Sequence, residues 1–106
     1  MPEVRPIKDR ITVEVDRDLE EIIPLFLQNR ANDIDDLKKA VESEQFEHIR
    51  MVGHTLKGIG SGYGFAPVSD IGLMLEQAAK AGNSTVINKA IQELETYLEL
   101  VDIIYV

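Results

Sequence analysis

Residues 45–63 read QFEHIRMVGHTLKGIGSGY, and this stretch decides the fold class. Its apolar residues recur every three or four positions, which is the spacing of one face of an α-helix. They are Phe46, Ile49, Val52, Leu56, Ile59 and Tyr63. On a helical wheel they form one stripe, and His54 falls nearly opposite to it. The stretch therefore predicts an amphipathic helix that buries one side and exposes a histidine.

The same spacing continues on both sides of this helix. Upstream it predicts one long helix over about residues 17–43, with Pro24 in the first turns, where a missing N–H costs least. Downstream it predicts a helix from about residue 67 to Lys80, then another from about residue 84 to Ile104. Short loops between amphipathic helices favour antiparallel neighbours. The sequence therefore predicts an all-α fold, an antiparallel up-down-up-down four-helix bundle formed by residues 16–106.

Residues 1–15 differ from the rest of the chain. Two prolines, Pro2 and Pro6, and the alternation Ile11-Thr12-Val13-Glu14-Val15 indicate an N-terminal arm that is extended or forms a short strand. Because a single strand cannot form a sheet, we expect this arm to pack along a helix. An additional helical turn is the alternative.

Composition excludes several classes of function. The chain has 106 residues, the size of one domain, and its 11 Lys and Arg against 19 Asp and Glu give a net charge of −8. This charge argues against binding to nucleic acid or anionic lipid. There is no cysteine, which excludes disulfides, thiolate nucleophiles and cysteine-ligated zinc. The N-terminus lacks the apolar core of a signal peptide, so we expect a cytoplasmic protein.

The face that carries His54 is chemically unusual. Lys57, Gly58 and Ser61 follow it at spacings of three, four and seven, which predicts one exposed row of four residues. Glycine lowers the stability of a helix by about 1 kcal/mol relative to alanine, so a glycine on an exposed helix face indicates a role other than stability. Gly58 leaves the imidazole open to another molecule, and Lys57 supplies a cation that suits an anionic group. An imidazole nitrogen can be phosphorylated, and the product is labile enough to pass on its phosphoryl group.

These residues also carry a resemblance to a known family. His54-Thr55-Leu56-Lys57-Gly58, followed by small residues and Gly64-Phe65, resembles the signature of histidine-containing phosphotransfer (HPt) domains of bacterial two-component phosphorelays. That signature is His-x-x-Lys-Gly, then a small residue, then a glycine ten positions after the histidine. The resemblance covers about residues 16–104. The chain departs from the family at Gly60, usually Ser or Ala, and at Gly62, often Asn.

The resemblance implies a phosphocarrier rather than a kinase in its own right. A phosphorylated receiver domain would dock over His54, whose Nε2 would accept the phosphoryl group and pass it to a second receiver domain. Lys57 would offset the phosphoryl charge. We expect no cofactor or metal in this chain, because the Mg²⁺ belongs to the receiver. The expected partners are response-regulator receiver domains and a hybrid sensor histidine kinase, and we expect a monomer.

Five residues are assigned to receiver docking and access. They are Gly58, Ser61, Gly64, Arg50 and Glu47, of which the last two are interpreted as a docking rim. Against the acidic background, Arg50 and Lys57 would make this face locally basic, which would complement an acidic receiver site.

Other interpretations lead to different functions. A four-helix module could bind a receiver or kinase partner through the same face and never carry phosphate. His48, at the edge of the apolar stripe, is interpreted as structural or partly exposed. Because it lies six residues before His54, the two histidines do not share a helix face, which argues against a two-histidine metal site. The run from Gly58 to Gly64 lacks the G-x-G-x-x-G pattern of nucleotide-binding loops, because residue 63 is Tyr.

Overall fold

A computed structural model describes residues 10–106. These residues form a helical bundle with four α-helices, as the sequence predicted. The elements, in chain order, are β1 (Ile11–Val15), a 3₁₀ turn (Arg17–Leu19), α1 (Ile23–Glu42), α2 (Phe46–Ile59), a second 3₁₀ turn (Ser61–Tyr63), α3 (Ala66–Lys80), α4 (Ser84–Leu100) and β2 (Val101–Tyr105). Of the predicted N-terminal arm, residues 1–9 lie outside the described part of the chain.

The helices begin where the sequence supplies a local reason. α1 begins at Ile23 rather than at residue 17, because Pro24 fits only in the first turn of a helix and Asp16 caps a separate 3₁₀ turn before it. α4 begins after Asn83, whose side-chain oxygen accepts a hydrogen bond of 3.2 Å from the backbone N–H of Val86. α3 ends at Lys80, as predicted, before Gly82 takes a φ of 64°.

The end of the chain differs from the prediction. α4 stops at Leu100 rather than at Ile104, and Val101–Tyr105 forms β2, which pairs in parallel with β1. The register sets Ile11 opposite Val101 and Val15 opposite Tyr105. The two segments are both short and rich in β-branched residues, so each provides the partner that the other needs. The lone strand that was expected to lie along a helix is therefore one half of a two-stranded sheet.

Two arginines fasten this strand pair at its ends. The guanidinium of Arg10 donates two hydrogen bonds to the carboxylate of Asp102, at 3.1 and 2.6 Å, and a third to the backbone carbonyl of Glu99 at 2.9 Å. At the other end, the backbone N–H of Arg17 donates to the carbonyl of Val106 at 3.0 Å. The strand pair thus joins the start and the end of the described chain beside the bundle.

The core is filled from all four helices and from the turn after α2. Its largest fully buried side chains are Phe65, Ile23, Leu37, Ile49, Leu56, Leu75, Ile87, Leu94 and Val68. Phe65 stacks on Phe26 of α1 with 5.1 Å between ring centroids, and the ring of Tyr63 lies 4.8 Å from that of Phe26. These aromatic contacts hold the turn after α2 against α1. No helix in the described residues is both long and apolar enough to cross a membrane.

The backbones of α2 and α3 touch at two glycines. A Cβ added to Gly53 would lie 2.7 Å from the backbone nitrogen of Glu76 and 2.8 Å from the carbonyl oxygen of Gly72. A Cβ added to Gly72 would lie 2.6 Å from the carbonyl oxygen of Gly53 and would also meet the backbone nitrogen of Lys57. Only glycine at both positions allows this approach.

We expect Gly72→Ala to lower the free energy of unfolding by about 1–3 kcal/mol, because the added methyl group meets backbone atoms that cannot move unless the helices separate. Gly58→Ala is the matched control. A Cβ at Gly58 has no heavy atom within 4 Å, so this variant should gain up to about 1 kcal/mol from helix propensity. Urea denaturation measures both values. A Gly72→Ala protein as stable as the wild type would refute the close contact.

Candidate functional site

The predicted row of exposed residues is only partly helical. His54, Lys57 and Gly58 lie in the last turns of α2, but the helix ends at Ile59, and Ser61 begins the 3₁₀ turn. The backbone N–H and the hydroxyl of Ser61 both donate to the Oγ of Ser69 on α3, at 2.8 and 3.0 Å. Ser61 thus lies, exposed, at the junction of α2 and α3, and its role in receiver docking stays a prediction.

His54 is exposed but held in a fixed orientation. Its side chain is 65% exposed, and its Nδ1 lies 2.8 Å from the Oε2 of Glu76 on α3. An ionised carboxylate can only accept a hydrogen bond, so Nδ1 carries the proton. In the neutral ring this leaves the lone pair on Nε2, the nitrogen free to react with another molecule.

Glu76 is the residue that links the site together. Its side chain is 7% exposed, and its second oxygen, Oε1, accepts a hydrogen bond of 2.6 Å from the Nζ of Lys57. The hydrogen bond from Lys57 and then the one from His54 hold the pKa of Glu76 at about 2. The carboxylate therefore remains ionised between the two side chains at neutral pH.

The sequence interpretation did not single out Glu76. It comes four residues after Gly72 and therefore lies on the same side of α3, next to the contact with α2. One sequence pattern could have pointed to Glu76: a carboxylate one helical turn after a glycine, at the edge of an apolar stripe.

Gly58 leaves the space beside His54 open. No heavy atom lies within 4 Å of the position that its Cβ would occupy, and the residue is exposed. The access role that the sequence predicted for Gly58 stays a prediction. Gly64 has a different position, with a φ of 91° at the end of the 3₁₀ turn, where Val13 and Val15 of β1 are its neighbours. In the structure it shapes the turn that follows the histidine helix.

Arg50 and Glu47 pair with each other on α2. The guanidinium donates two hydrogen bonds to the carboxylate, at 2.9 and 2.6 Å. The hydrogen bond with Glu47 raises the pKa of Arg50, and the negative charge of Glu76 adds a smaller effect in the same direction. Because Lys57 is paired with Glu76, each cation of the expected basic face is matched by a carboxylate. These four side chains carry no net positive charge.

His48 lies apart from this cluster. It is half-exposed, and its Nε2 lies 2.6 Å from the Oδ2 of Asp36, so that it connects α2 to α1. Within residues 10–106, no group of three or more His, Asp or Glu side chains is arranged to hold a metal ion.

Large apolar side chains are exposed on the helices next to the histidine. Ile22 and Leu25, at the start of α1, line a groove together with Ile59 of α2. Met51, three residues before His54, lines a second groove between the same helices. Leu25 is 62% exposed and Met51 57%. We call Ile22, Leu25 and Met51 the apolar rim, and exposed apolar groups of this kind mark binding surfaces when they cluster.

The low pKa of Glu76 makes the stability of the protein depend on pH. Because the folded value of about 2 lies below the ordinary 4.5, the ionised carboxylate stabilises the fold above about pH 4.5, and this contribution is lost as the pH falls towards 2. We therefore expect Glu76→Gln to be less stable than the wild type at pH 7, with the difference shrinking below pH 4.5. Urea unfolding between pH 3 and 7 measures it. Glu47→Gln, at an exposed ion pair, should show a smaller change, and a constant difference for Glu76→Gln would contradict the assignment.

Comparison with known proteins agrees with this geometry. The family model described as the Hpt domain matches residues 21–103, which include all four helices. No curated protein and no solved structure matches the chain. The matched residues contain His54, Lys57 and Glu76, the three side chains that the structure brings together. The chain therefore belongs to the Hpt domain family, the histidine phosphotransfer modules of phosphorelays.

Proposed function

We propose that this protein is a phosphocarrier, built as an antiparallel up-down-up-down bundle, that accepts a phosphoryl group on His54 from a receiver-domain aspartate and passes it to another receiver domain. One observation carries the proposal. The imidazole is exposed, and a buried carboxylate holds its Nδ1 proton, so that Nε2 is the reactive nitrogen.

The transfer needs only bond exchange at phosphorus. The lone pair of Nε2 forms the P–N bond while the P–O bond to the receiver aspartate breaks, and the aspartate carboxylate leaves with the electron pair. The proton on Nδ1 stays in its hydrogen bond to Glu76. Phosphoryl transfer depends mainly on positioning and charge stabilisation, so a correctly held imidazole is a sufficient contribution from this chain. The magnesium ion that neutralises the phosphoryl oxygens is assigned to the receiver.

Lys57 and Gly58 support the transfer in different ways. Lys57 is 38% exposed at its side chain, so its ammonium group is able to turn from Glu76 towards phosphoryl oxygens one helical turn away. It would then offset the added negative charge. Gly58 allows the receiver backbone to come close to the imidazole, because no side chain stands there.

The apolar rim supplies the docking contact. The ion pairs Arg50–Glu47 and Lys57–Glu76 leave little net charge near His54, so association there must gain its free energy mostly from apolar burial. Leu25 on α1 and Met51 on α2, the helix that carries the histidine, are both exposed. We assign them to the receiver interface, together with Ile22.

Phosphate transfer is tested with purified receivers. Incubated with phosphorylated receiver domains and Mg²⁺, the protein should gain acid-labile, base-stable phosphate. His54→Gln should abolish the label, and His48→Gln, the matched control, should retain it. Absence of label on the wild type with several receivers would refute the proposal and favour the alternative, an interaction module that docks partners without carrying phosphate.

The docking assignment is tested separately. Leu25→Glu places a charge in the apolar rim without disturbing the core, because this side chain is 62% exposed. We expect it to lower kcat/KM for receiver-dependent phosphorylation about tenfold or more, the loss of one good interface contact. Ile104→Glu is the control, a half-exposed apolar residue on β2. Equal rates for both variants would show that the receiver docks elsewhere.

A further inference from the structure

The contact between Glu76 and His54 has a consequence for the phosphorylated state, given the proposed function. When a neutral imidazole with a proton on Nδ1 attacks through Nε2, the product is a phosphoimidazolium, whose ring is positively charged. If the ring then loses the Nδ1 proton, the P–N bond becomes harder to break, because the leaving group would be an imidazolate anion. If the ring keeps that proton, the leaving group is neutral imidazole. The lifetime of the phosphoryl group therefore depends on what faces Nδ1.

The group that faces Nδ1 here is an ionised carboxylate with little contact with water. Oε2 of Glu76 is 2.8 Å from Nδ1, and the side chain is 7% exposed. An opposite charge at this distance favours the protonated form of a ring, and the shielding of the Glu76 carboxylate from water strengthens the effect. The pKa of Glu76, at about 2, keeps the carboxylate charged throughout the range in which the ring could lose its proton.

Lys57 and Arg50, the cations near Glu76, determine how strongly its carboxylate stabilises the Nδ1 proton once His54 is phosphorylated. Lys57 holds the second oxygen of Glu76 in the unphosphorylated protein, at 2.6 Å. A phosphoryl dianion on Nε2 competes with Glu76 for that ammonium group, and any share that Lys57 gives to the phosphoryl group leaves more of the carboxylate charge to the imidazolium. Arg50, the other cation whose field reaches Glu76, is held by Glu47.

We infer that Glu76 is a positioning residue that keeps the proton on Nδ1 after phosphorylation, so that the module holds its phosphoryl group as a readily transferred phosphoimidazolium. In onward transfer the P–Nε2 bond breaks, its electron pair returns to Nε2, and a P–O bond forms to the acceptor carboxylate. Nδ1 keeps its proton in both directions. The site is thus built for rapid exchange rather than for storage of the phosphoryl group.

The test loads the histidine chemically, without a receiver. The full chain carrying His48→Gln is phosphorylated with phosphoramidate, which leaves His54 as the one histidine, and phosphate loss is followed by ³¹P NMR from pH 5 to 10. The rate should fall as the ring loses its Nδ1 proton. Glu76→Gln keeps the size of the side chain and removes its charge, so the fall should move to lower pH by about one unit or more. At pH 8 this variant should lose phosphate about tenfold more slowly than its parent.

The Lys57→Gln variant and the unfolded parent protein provide two further controls for the role of the Glu76 charge. Lys57→Gln removes the cation that competes for Glu76, so its profile should move to higher pH, opposite to that of Glu76→Gln. The parent protein unfolded in urea separates residues 54 and 76, and its profile should match that of Glu76→Gln even if the latter folds poorly. Superimposable profiles for folded parent, unfolded parent and Glu76→Gln would overturn the inference, and so would failure of phosphoramidate to label the exposed His54.

This experiment is independent of the receiver assay. If the profiles shift as described but no receiver phosphorylates the protein, the inference stands and the proposed function fails. If receivers label His54 but the profiles coincide, the proposed function stands and the role of Glu76 fails.

Discussion

The close contact between α2 and α3 at Gly53 and Gly72 is the constraint on which the site depends. A side chain at either position would separate the two backbones. The separation would move Glu76 away from His54 and Lys57, and the hydrogen bonds to the carboxylate, now 2.8 and 2.6 Å long, would be stretched or broken. Gly53 and Gly72 therefore act on the orientation of the His54 imidazole indirectly, through the position of Glu76.

The buried carboxylate in turn sets the electrostatics of the exposed face. A charge shielded from water is costly unless it is paired and hydrogen-bonded, and Glu76 meets this condition through the imidazole of His54 and the ammonium group of Lys57. Lys57 thus stabilises the fold, through its ion pair with Glu76, as long as His54 is not phosphorylated. Among the residues that the structure describes, Lys57 and Arg50 are each paired with a carboxylate, so these two cations add no net positive charge to a chain whose total is −8.

Much of the fold was accessible from the sequence, because the apolar spacing of each helix is local information. The spacing located four helices and placed His54 opposite the buried stripe, and the motif residues were sufficient to identify the family. Glu76 was missed because its role depends on which helices are neighbours and how closely they approach. β2 was missed because Val101–Tyr105 continues the apolar spacing of α4, and only the strand at Ile11–Val15, far away in the sequence, makes it extended.

That distant pairing also implies an order of events during folding. The register joins residues 90 positions apart, as in Ile11 with Val101, so closing this loop before the helices pack would cost the most chain entropy of any contact in the sheet or bundle. The helices, whose hydrogen bonds are local and whose packing contacts join segments closer in the sequence than the two strands, can form and associate first and bring the two segments together. The strand pair then assembles late, and because Val13 and Val15 of β1 lie beside Gly64, opening it would remove the support of the turn that follows the histidine helix.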